Sequence, residues 1–291
     1  MTVITQDRLL LTHTDLDGVG GAVIWSAATG APYRLVENGD VDAAVAAALP
    51  EAEEVVLADH SVSWDLVPAI EAHVAAGRHF VMLDHHKSAI GLAVHPWAEV
   101  QLDRAAAGLV FDFVGRPPEL ADFAALVEDH DLWRHADPRS ARLAALLGLL
   151  GHERFIDRFT QDPRVQFTEG EELLMDVEER RREDYIARKV TQAEVFSEGA
   201  HRWALAFAEQ YQSELADALM TQLGVGATAI VNASRGTVSM RGRDVDVSLI
   251  ARRFGGGGHA RAAAFSVTGK PLEDGLLEFR QALIAALTGK S

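Results

Sequence analysis

Three short apolar runs in the first third of the chain each end in aspartate or histidine residues. The runs are Arg8–Thr12, Glu54–Ala58 and His79–Leu83, and their length and residue content predict buried β-strands. In an open parallel sheet, binding groups gather beyond the carboxyl ends of the strands. The sequence therefore predicts that the polar residues after these three runs share one crevice.

The segments between these runs alternate between strand-like and helix-like patterns. This alternation predicts a mostly parallel sheet covered by helices, and the chain becomes almost wholly helical between Pro118 and Thr160. The remaining predicted elements are a helix from about Val19, a strand at Tyr33–Glu37, helices over Val41–Leu49 and Trp64–Ala76, and a further strand within Trp97–Leu102.

A charge-rich segment divides the chain. Residues 168–190 mix both charge signs around a sparse apolar stripe, which is typical of an exposed connecting helix. Shorter strand-like and helical runs follow, ending in a predicted helix over Leu272–Leu287. We expect an α/β protein whose parallel-sheet domain is joined by a helical linker to a smaller mixed α/β domain. The predicted parts are residues 1–165, 166–195 and 196–291.

Composition restricts the chemistry. The chain has no cysteine, so disulfides and thiolate zinc sites are excluded, and any metal must be held by oxygen and imidazole. That ligand set suits manganese, magnesium, iron or zinc, and manganese is the favoured expectation. The formal charge of -16 argues against a broad grip on long duplex nucleic acid, although a small anionic ligand could still bind locally.

Nothing in the sequence indicates a membrane association. The N-terminal residues lack a basic segment followed by an apolar core, and no stretch approaches the roughly 18 apolar residues of a membrane span. We therefore expect a cytoplasmic protein. Oligomeric state stays open, with a homodimer through a sheet edge or a helical face as one arrangement.

The polar residues after the strands form a candidate metal site. His13, Asp15 and Asp17 would point to one side if the chain stayed extended, although an aspartate before a glycine turn could simply cap a helix. Asp59 has the same alternative as a cap. The run 84–86, Asp-His-His, is more specific because two adjacent histidines after an aspartate have little structural reason to occur together.

These motifs, in this order, resemble the DHH phosphoesterase superfamily, which includes RecJ exonucleases, nanoRNases and family II inorganic pyrophosphatases. Residues 13–20 and 84–89 most resemble the bacterial nanoRNase (oligoribonuclease) branch. The family site includes a later acidic residue. Asp131 is the first choice, because Leu132 and Trp133 follow it as in the family's Asp-x-Trp pattern, and Asp129 is the alternative.

A second motif lies near the end of the chain. Residues 254–263 resemble the glycine-rich substrate motif of the DHH-associated C-terminal domain, with Ala264 at a position where glycine is frequent. Consecutive glycines let backbone NH groups converge on an anion and leave room for a base or sugar, although the segment could also be a loop without function. The resemblance implies substrate contacts from Arg241, Gly256, Gly257, Gly258 and His259.

The resemblance also implies a site with two divalent ions, most simply Mn²⁺, with Mg²⁺ or Co²⁺ as alternatives. Asp59 would bridge the ions, which together activate a water for attack at phosphorus. His86 would stabilise phosphate charge or protonate the leaving oxygen, and Asp84 would orient the histidines. The implied ligands are His13, Asp15 and Asp59 for one ion, and Asp17, Asp59, His85 and Asp131 for the other.

The resulting expectation is a manganese-dependent phosphodiesterase that degrades short RNA (nanoRNA) to mononucleotides, with 3',5'-bisphosphoadenosine as a further substrate. Cleavage of linear or cyclic dinucleotides is a close alternative. RecJ-like degradation of single-stranded DNA is disfavoured by the negative charge. Pyrophosphatase activity is disfavoured by the glycine-rich motif. A noncatalytic nucleotide sensor is an alternative from a different class, and loss of a metal ligand would support it.

Overall fold

A computed structural model describes residues 6–267 together with 280 and 281. The chain forms two compact units, and the division along the sequence falls between Met175 and Asp176. The long helix α8, Glu169–Gln192, crosses this division in the segment predicted to be a connecting helix. Apart from residues 280 and 281, the helix predicted over Leu272–Leu287 lies outside the described residues.

The first unit is built on a parallel sheet, which confirms the predicted fold class. Its five strands lie in the order β2-β1-β3-β4-β5, and every pair of neighbours is parallel. The strands are β1 Gln6–Thr12, β2 Tyr33–Leu35, β3 Ala52–Ala58, β4 His79–Asp84 and β5 Ala98–Val100.

Helices cover both faces of this sheet, so its strands are apolar on both sides. Leu10 packs on the face that carries Trp25 and Phe123, whereas Leu9 and Leu11 pack on the opposite face, and all three leucines are fully buried. The helices are α1 Leu16–Thr29, α2 Val41–Ala48, α3 Val67–Ala75, α4 Ala106–Phe113, α5 Ala121–Asp131, α6 Pro138–Leu150 and α7 His152–Gln161.

The strand register aligns the ends of the three strands that carry polar residues. Thr12 of β1 pairs with Ala58 of β3, and Ala58 pairs with Leu83 of β4. The next residues along each chain segment therefore emerge side by side at the carboxyl edge of the sheet. This register brings together groups that are distant in the sequence.

The second unit contains a mixed sheet with helices. Its strands lie in the order β10-β11-β9-β8-β7-β6, where only β7 and β8 are parallel. The elements are β6 Glu194–Glu198, β7 His201–Phe207, α9 Gln212–Leu223, β8 Ala227–Asn232, β9 Thr237–Gly242, α10 Val247–Arg253, β10 Gly257–His259 and β11 Ala262–Ser266. Across the described residues, no helix combines the length and apolar character that a membrane crossing requires.

Candidate functional site

Seven aspartate and histidine side chains cluster at the carboxyl edge of the parallel sheet. They form three overlapping groups, and within each group the potential ligand atoms lie within 4.8 Å of one another. The groups are His13, Asp15 and Asp59; Asp17, His85 and Asp131; and Asp59, His85 and His86. All six residues predicted to bind metal lie in this cluster.

Asp59 occupies the centre of the cluster. Its Oδ2 lies 3.7 Å from His13 Nδ1, and its Oδ1 lies 3.4 Å from His85 Nε2. The residue is 3% exposed and its backbone has a φ of 58°, a left-handed conformation that is uncommon outside glycine. Such strain persists where surrounding structure enforces it, and it is enriched at functional sites.

The charges in the cluster depend strongly on one another. The nearby Asp59 carboxylate raises the pKa of His13 to about 9 and the pKa of His85 to about 9, although burial opposes both shifts. Burial raises the pKa of Asp59, but the two histidines outweigh it and the net shift is downward. Positive charge on the histidines thus stabilises a buried carboxylate, which is the role that a bound cation can also fill.

Asp17 is held by the start of helix α4. Its two carboxylate oxygens accept hydrogen bonds from the backbone NH groups of Ala106 and Ala107, both at 2.7 Å. The residue is 1% exposed, and burial raises its pKa well above the ordinary value. Donors at a helix N-terminus favour an anion, so this arrangement partly offsets the cost of burial and fixes the carboxylate in position.

The structure separates the two acidic residues at the end of α5. Asp131 Oδ2 lies 3.6 Å from His85 Nδ1, within the cluster. Asp129 instead accepts hydrogen bonds from the backbone NH groups of Ala136 at 2.9 Å and Asp137 at 3.3 Å, so it closes the following turn. The geometry therefore favours Asp131 over Asp129 as the acidic residue of the site.

Asp84 positions the histidine pair. Its Oδ1 accepts hydrogen bonds from the backbone NH groups of His85 at 2.7 Å and His86 at 3.2 Å, and lies 2.7 Å from His86 Nδ1. The hydrogen bond to Asp84 raises the pKa of His86. Because Nδ1 faces Asp84, the half-exposed imidazole of His86 presents its Nε2 atom to a ligand.

Asp15 combines the two roles that the sequence left open. It caps helix α1 by accepting a hydrogen bond from Gly18 N at 3.1 Å, and it also lies 3.0 Å from His13 Nδ1. A Cβ atom at position 18 would lie 2.3 Å from the carbonyl oxygen of His13. The turn into α1 therefore requires glycine for a steric reason.

Two neighbours of His13 had no role in the site predicted from the sequence. His60 is buried, its Nε2 lies 2.9 Å from Val36 O, and its ring packs edge-on against His13 with 4.9 Å between centroids. Asn38 Nδ2 lies 3.4 Å from His13 Nε2. The position of His60 directly after Asp59 was a usable signal, whereas nothing in the sequence around Asn38 pointed to the site.

The donor set fits divalent cations. It consists of carboxylate oxygens and imidazole nitrogens, which suit manganese and similar ions. Oδ2 atoms of Asp59 and Asp131 are buried without a hydrogen-bond partner. Buried carboxylate oxygens are normally satisfied, so two such atoms in one cluster are consistent with ligation of a cation.

Two of the predicted substrate residues of the second unit, Arg241 and His259, lie in one row of its sheet. Arg241 of β9 pairs with Ala262 of β11, which pairs with His259 of β10, so the three side chains share a face. Arg241 donates through Nη2 to Ser213 Oγ and through Nη1 to Met240 O, both at 3.1 Å. His259 is exposed.

The glycine-rich segment differs from the predicted loop, because residues Gly257–His259 form the edge strand β10. A Cβ at Gly256 would lie 2.2 Å from Ala264 O, and one at Gly258 would lie 2.5 Å from Ala262 O. Gly258 also has a φ of 135°. Close packing against β11 therefore explains Gly256 and Gly258. A Cβ at Gly257, in contrast, would meet no atom within 4 Å.

Comparison with known proteins gives sequence matches to both parts of the chain. The DHHA1 domain family model matches residues 208–289. The oligoribonuclease NrnB of Bacillus subtilis (strain 168) is 30% identical over 294 residues, covering 91% of this chain and 74% of the relative.

Solved structures share the fold at low sequence identity. The pGpG-specific phosphodiesterase PggH from Vibrio cholerae aligns with a TM-score of 0.61 and 14% identity, over 98% of this chain and 100% of the other. RecJ from Thermus thermophilus in complex with Mn²⁺ aligns with a TM-score of 0.56 and 16% identity, over 98% of this chain and 52% of the other.

Proposed function

The chain belongs to the DHH superfamily of phosphoesterases and is a metal-dependent hydrolase; from this premise, we propose that it is a manganese-dependent phosphodiesterase that degrades short oligoribonucleotides to mononucleotides. The broader activity, hydrolysis of a nucleotide or oligonucleotide phosphodiester, follows from the similarity to NrnB. The observation that carries the proposal is the cluster centred on Asp59, whose overlapping groups offer potential ligand atoms for divalent cations. We extend the proposal to 3',5'-bisphosphoadenosine, another small phosphoester.

We assign the ligands by their position around Asp59. Its Oδ2 faces His13 and its Oδ1 faces His85, so this carboxylate would contribute a ligand atom to each of two ions. Manganese is proposed because the ligands are carboxylate and imidazole and because the RecJ structure contains Mn²⁺. One ion would be held by His13, Asp15 and Asp59, and the other by Asp17, Asp59, His85 and Asp131.

The chain's own residues orient the reaction. Bound divalent ions supply Lewis acidity and neutralise charge on the phosphoryl group. His86 Nε2 would donate a proton or a hydrogen bond to a phosphate or leaving-group oxygen, and Asp84 raises the pKa of that imidazole and fixes it through Nδ1. The hydrogen bonds from α4 hold Asp17 in place before substrate arrives, so little reorganisation is needed during reaction.

We assign catalysis to the first unit and recognition of the terminal nucleotide to the second. Arg241 has a planar guanidinium that suits phosphate, and its contacts with Ser213 and Met240 orient it. His259 shares its sheet face and supplies a further donor. Gly257 leaves space for a sugar or base beside them.

Product analysis with defined substrates tests the proposal. Purified protein with Mn²⁺ is given RNA of two, five and about twenty nucleotides, pGpG and 3',5'-bisphosphoadenosine, and the products are separated by chromatography. We expect fast release of mononucleotides from the dinucleotide and slow cleavage of the longest RNA. Equal cleavage of the longest strand would contradict the length preference, and nucleotide binding without any turnover would indicate a sensor.

A further inference from the structure

Trp133 is displayed on the surface close to the metal cluster. The indole is 74% exposed and follows Asp131, the proposed last ligand, by two residues. Both Trp133 and His135 have left-handed backbones, with φ values of 54° and 49°. Bulky residues rarely adopt this conformation, so the backbone of the segment is strained. This strained backbone holds the aromatic ring of Trp133 at the surface.

The turn that carries Trp133 is firmly held. Arg134 donates from Nη1 to Glu128 Oε1 at 3.1 Å and from Nη2 to Asp103 O at 3.2 Å. Trp133 N donates to His130 O at 3.0 Å, and the Asp129 carboxylate closes the other side of the turn. These bonds enforce the strained backbone and restrict where the indole can lie.

Two histidines of the same segment lie beside the indole. The Trp133 ring lies 4.4 Å from the His135 ring in an edge-on contact and 6.2 Å from the His130 ring. The Nδ1 atom of His130 is buried without a hydrogen-bond partner.

We propose that Trp133 is a stacking platform for a nucleobase of the substrate whose phosphate lies at the metal cluster. This inference rests on the proposed function, since it requires a nucleotide ligand. The aspartates of the cluster would act on a phosphate through bound cations, and no side chain of the cluster offers an aromatic face as large as an indole. Stacking on an indole suits any base because each base has a π face, so it provides affinity without sequence preference.

Tryptophan fluorescence tests the contact without catalysis. Of the five tryptophans, Trp25 and Trp203 are fully buried and Trp97 is 7% exposed, whereas Trp64 is 59% exposed and serves as a matched control. The full chain with Mg²⁺ is titrated with adenosine 5'-monophosphate and with ribose 5-phosphate, which lacks the base. We expect quenching by the nucleotide alone in the parent and in Trp64→Phe, and its loss in Trp133→Phe.

Undiminished quenching of Trp133→Phe by the nucleotide would overturn the proposal. Equal quenching of the parent by ribose 5-phosphate would do so as well, because the base would then be irrelevant. If the parent hydrolyses no dinucleotide, the proposed function fails, but the fluorescence titration still decides whether Trp133 stacks on a base.

Kinetics provides the second readout. In the Mn²⁺-loaded enzyme, Trp133→Ala should raise KM for a diribonucleotide about 5- to 150-fold, the range expected for loss of one base stack, with kcat little changed. Trp133→Phe should retain most of the affinity, and circular dichroism should show unchanged folding. An unchanged KM, or a fall in kcat alone, would contradict stacking while leaving the phosphodiesterase assignment intact.

Discussion

The two candidate binding regions differ in how completely the fold fixes them. In the first unit, Asp17, Asp59 and Asp84 are nearly or fully buried, and backbone NH groups hold Asp17 and Asp84. In the second unit, Gly257 and His259 lie exposed on an edge strand. One region is buried and held by backbone hydrogen bonds, whereas the other presents side chains at a surface.

This difference indicates a division of labour. Burying several carboxylates together is costly unless a cation or hydrogen-bond donors compensate. Such a site is therefore useful where cations must be concentrated at one point. A row of half-buried Arg241 and exposed His259 costs little and contributes affinity through a few contacts. We therefore expect substitutions in the first unit to reduce the chemical rate and substitutions in the second to reduce affinity.

Asp59→Asn should have the largest effect. Asparagine is similar in shape and tolerates the left-handed backbone, but it lacks the charge that the proposed bridging ligand needs. We expect kcat to fall more than about 100-fold, beyond the usual cost of losing a residue that only supports a ligand. Steady-state kinetics with a diribonucleotide and Mn²⁺ measures this loss.

A thermal melt is the control for Asp59→Asn. Ion at about 100 times its Kd should stabilise the parent by about 2.7 kcal/mol relative to chelator-treated protein, and the variant should lose most of this gain. If the variant keeps the parental kcat and the full metal-dependent stabilisation, Asp59 does not bind the metal and only ends strand β3.

Asp84→Asn should have the next largest effect. The amide oxygen can still accept from the backbone NH groups of His85 and His86, but a neutral group no longer favours protonated His86. We expect kcat to fall about 10- to 100-fold with little change in KM. If Asp84 acts through His86, the same substitution made in a His86→Ala background should cost much less, and full additivity would refute the link.

The parallel sheet was predictable because its signals are local. Short apolar runs at regular intervals specify strands, and the convergence of His13, Asp59 and Asp84 needs only the parallel order and an aligned register. The grouping of the polar residues follows from that geometry. Their roles as ligands remain predictions that the substitutions above address.

Features that depend on contacts between distant residues could not be predicted from the sequence. Asp131 was the first choice from the residues that follow it, but the hydrogen bonds that hold Asp129 in the next turn depend on the folded chain. The glycine run suggested a ligand-binding loop, but packing against β11 accounts for Gly256 and Gly258. A pattern within four residues cannot reveal a partner strand whose approach depends on the folded sheet.

A pair of alanine substitutions separates packing from binding in the glycine-rich segment. Gly256→Ala would place a methyl group 2.2 Å from Ala264 O and 2.4 Å from Phe265 Cβ, so it should destabilise the second unit by about 1–3 kcal/mol. Gly257→Ala meets no atom within 4 Å and should change stability by less than about 0.5 kcal/mol. Denaturant unfolding monitored by circular dichroism measures both, and equal stabilities would refute the packing explanation.

Arg241→Lys should have the smallest effect and tests the proposed division most directly. Lysine keeps the positive charge but cannot reproduce the planar fork that Ser213 and Met240 orient, so about one hydrogen bond to phosphate is lost. We expect KM to rise about 2- to 12-fold, equivalent to about 0.5–1.5 kcal/mol, with kcat unchanged. Arg243→Lys, at an exposed position just beyond β9, is the matched control and should leave KM unchanged. A fall in kcat comparable to that of Asp59→Asn would instead place Arg241 in the chemical step, and the contrast between a buried catalytic region and a more exposed affinity region would no longer hold.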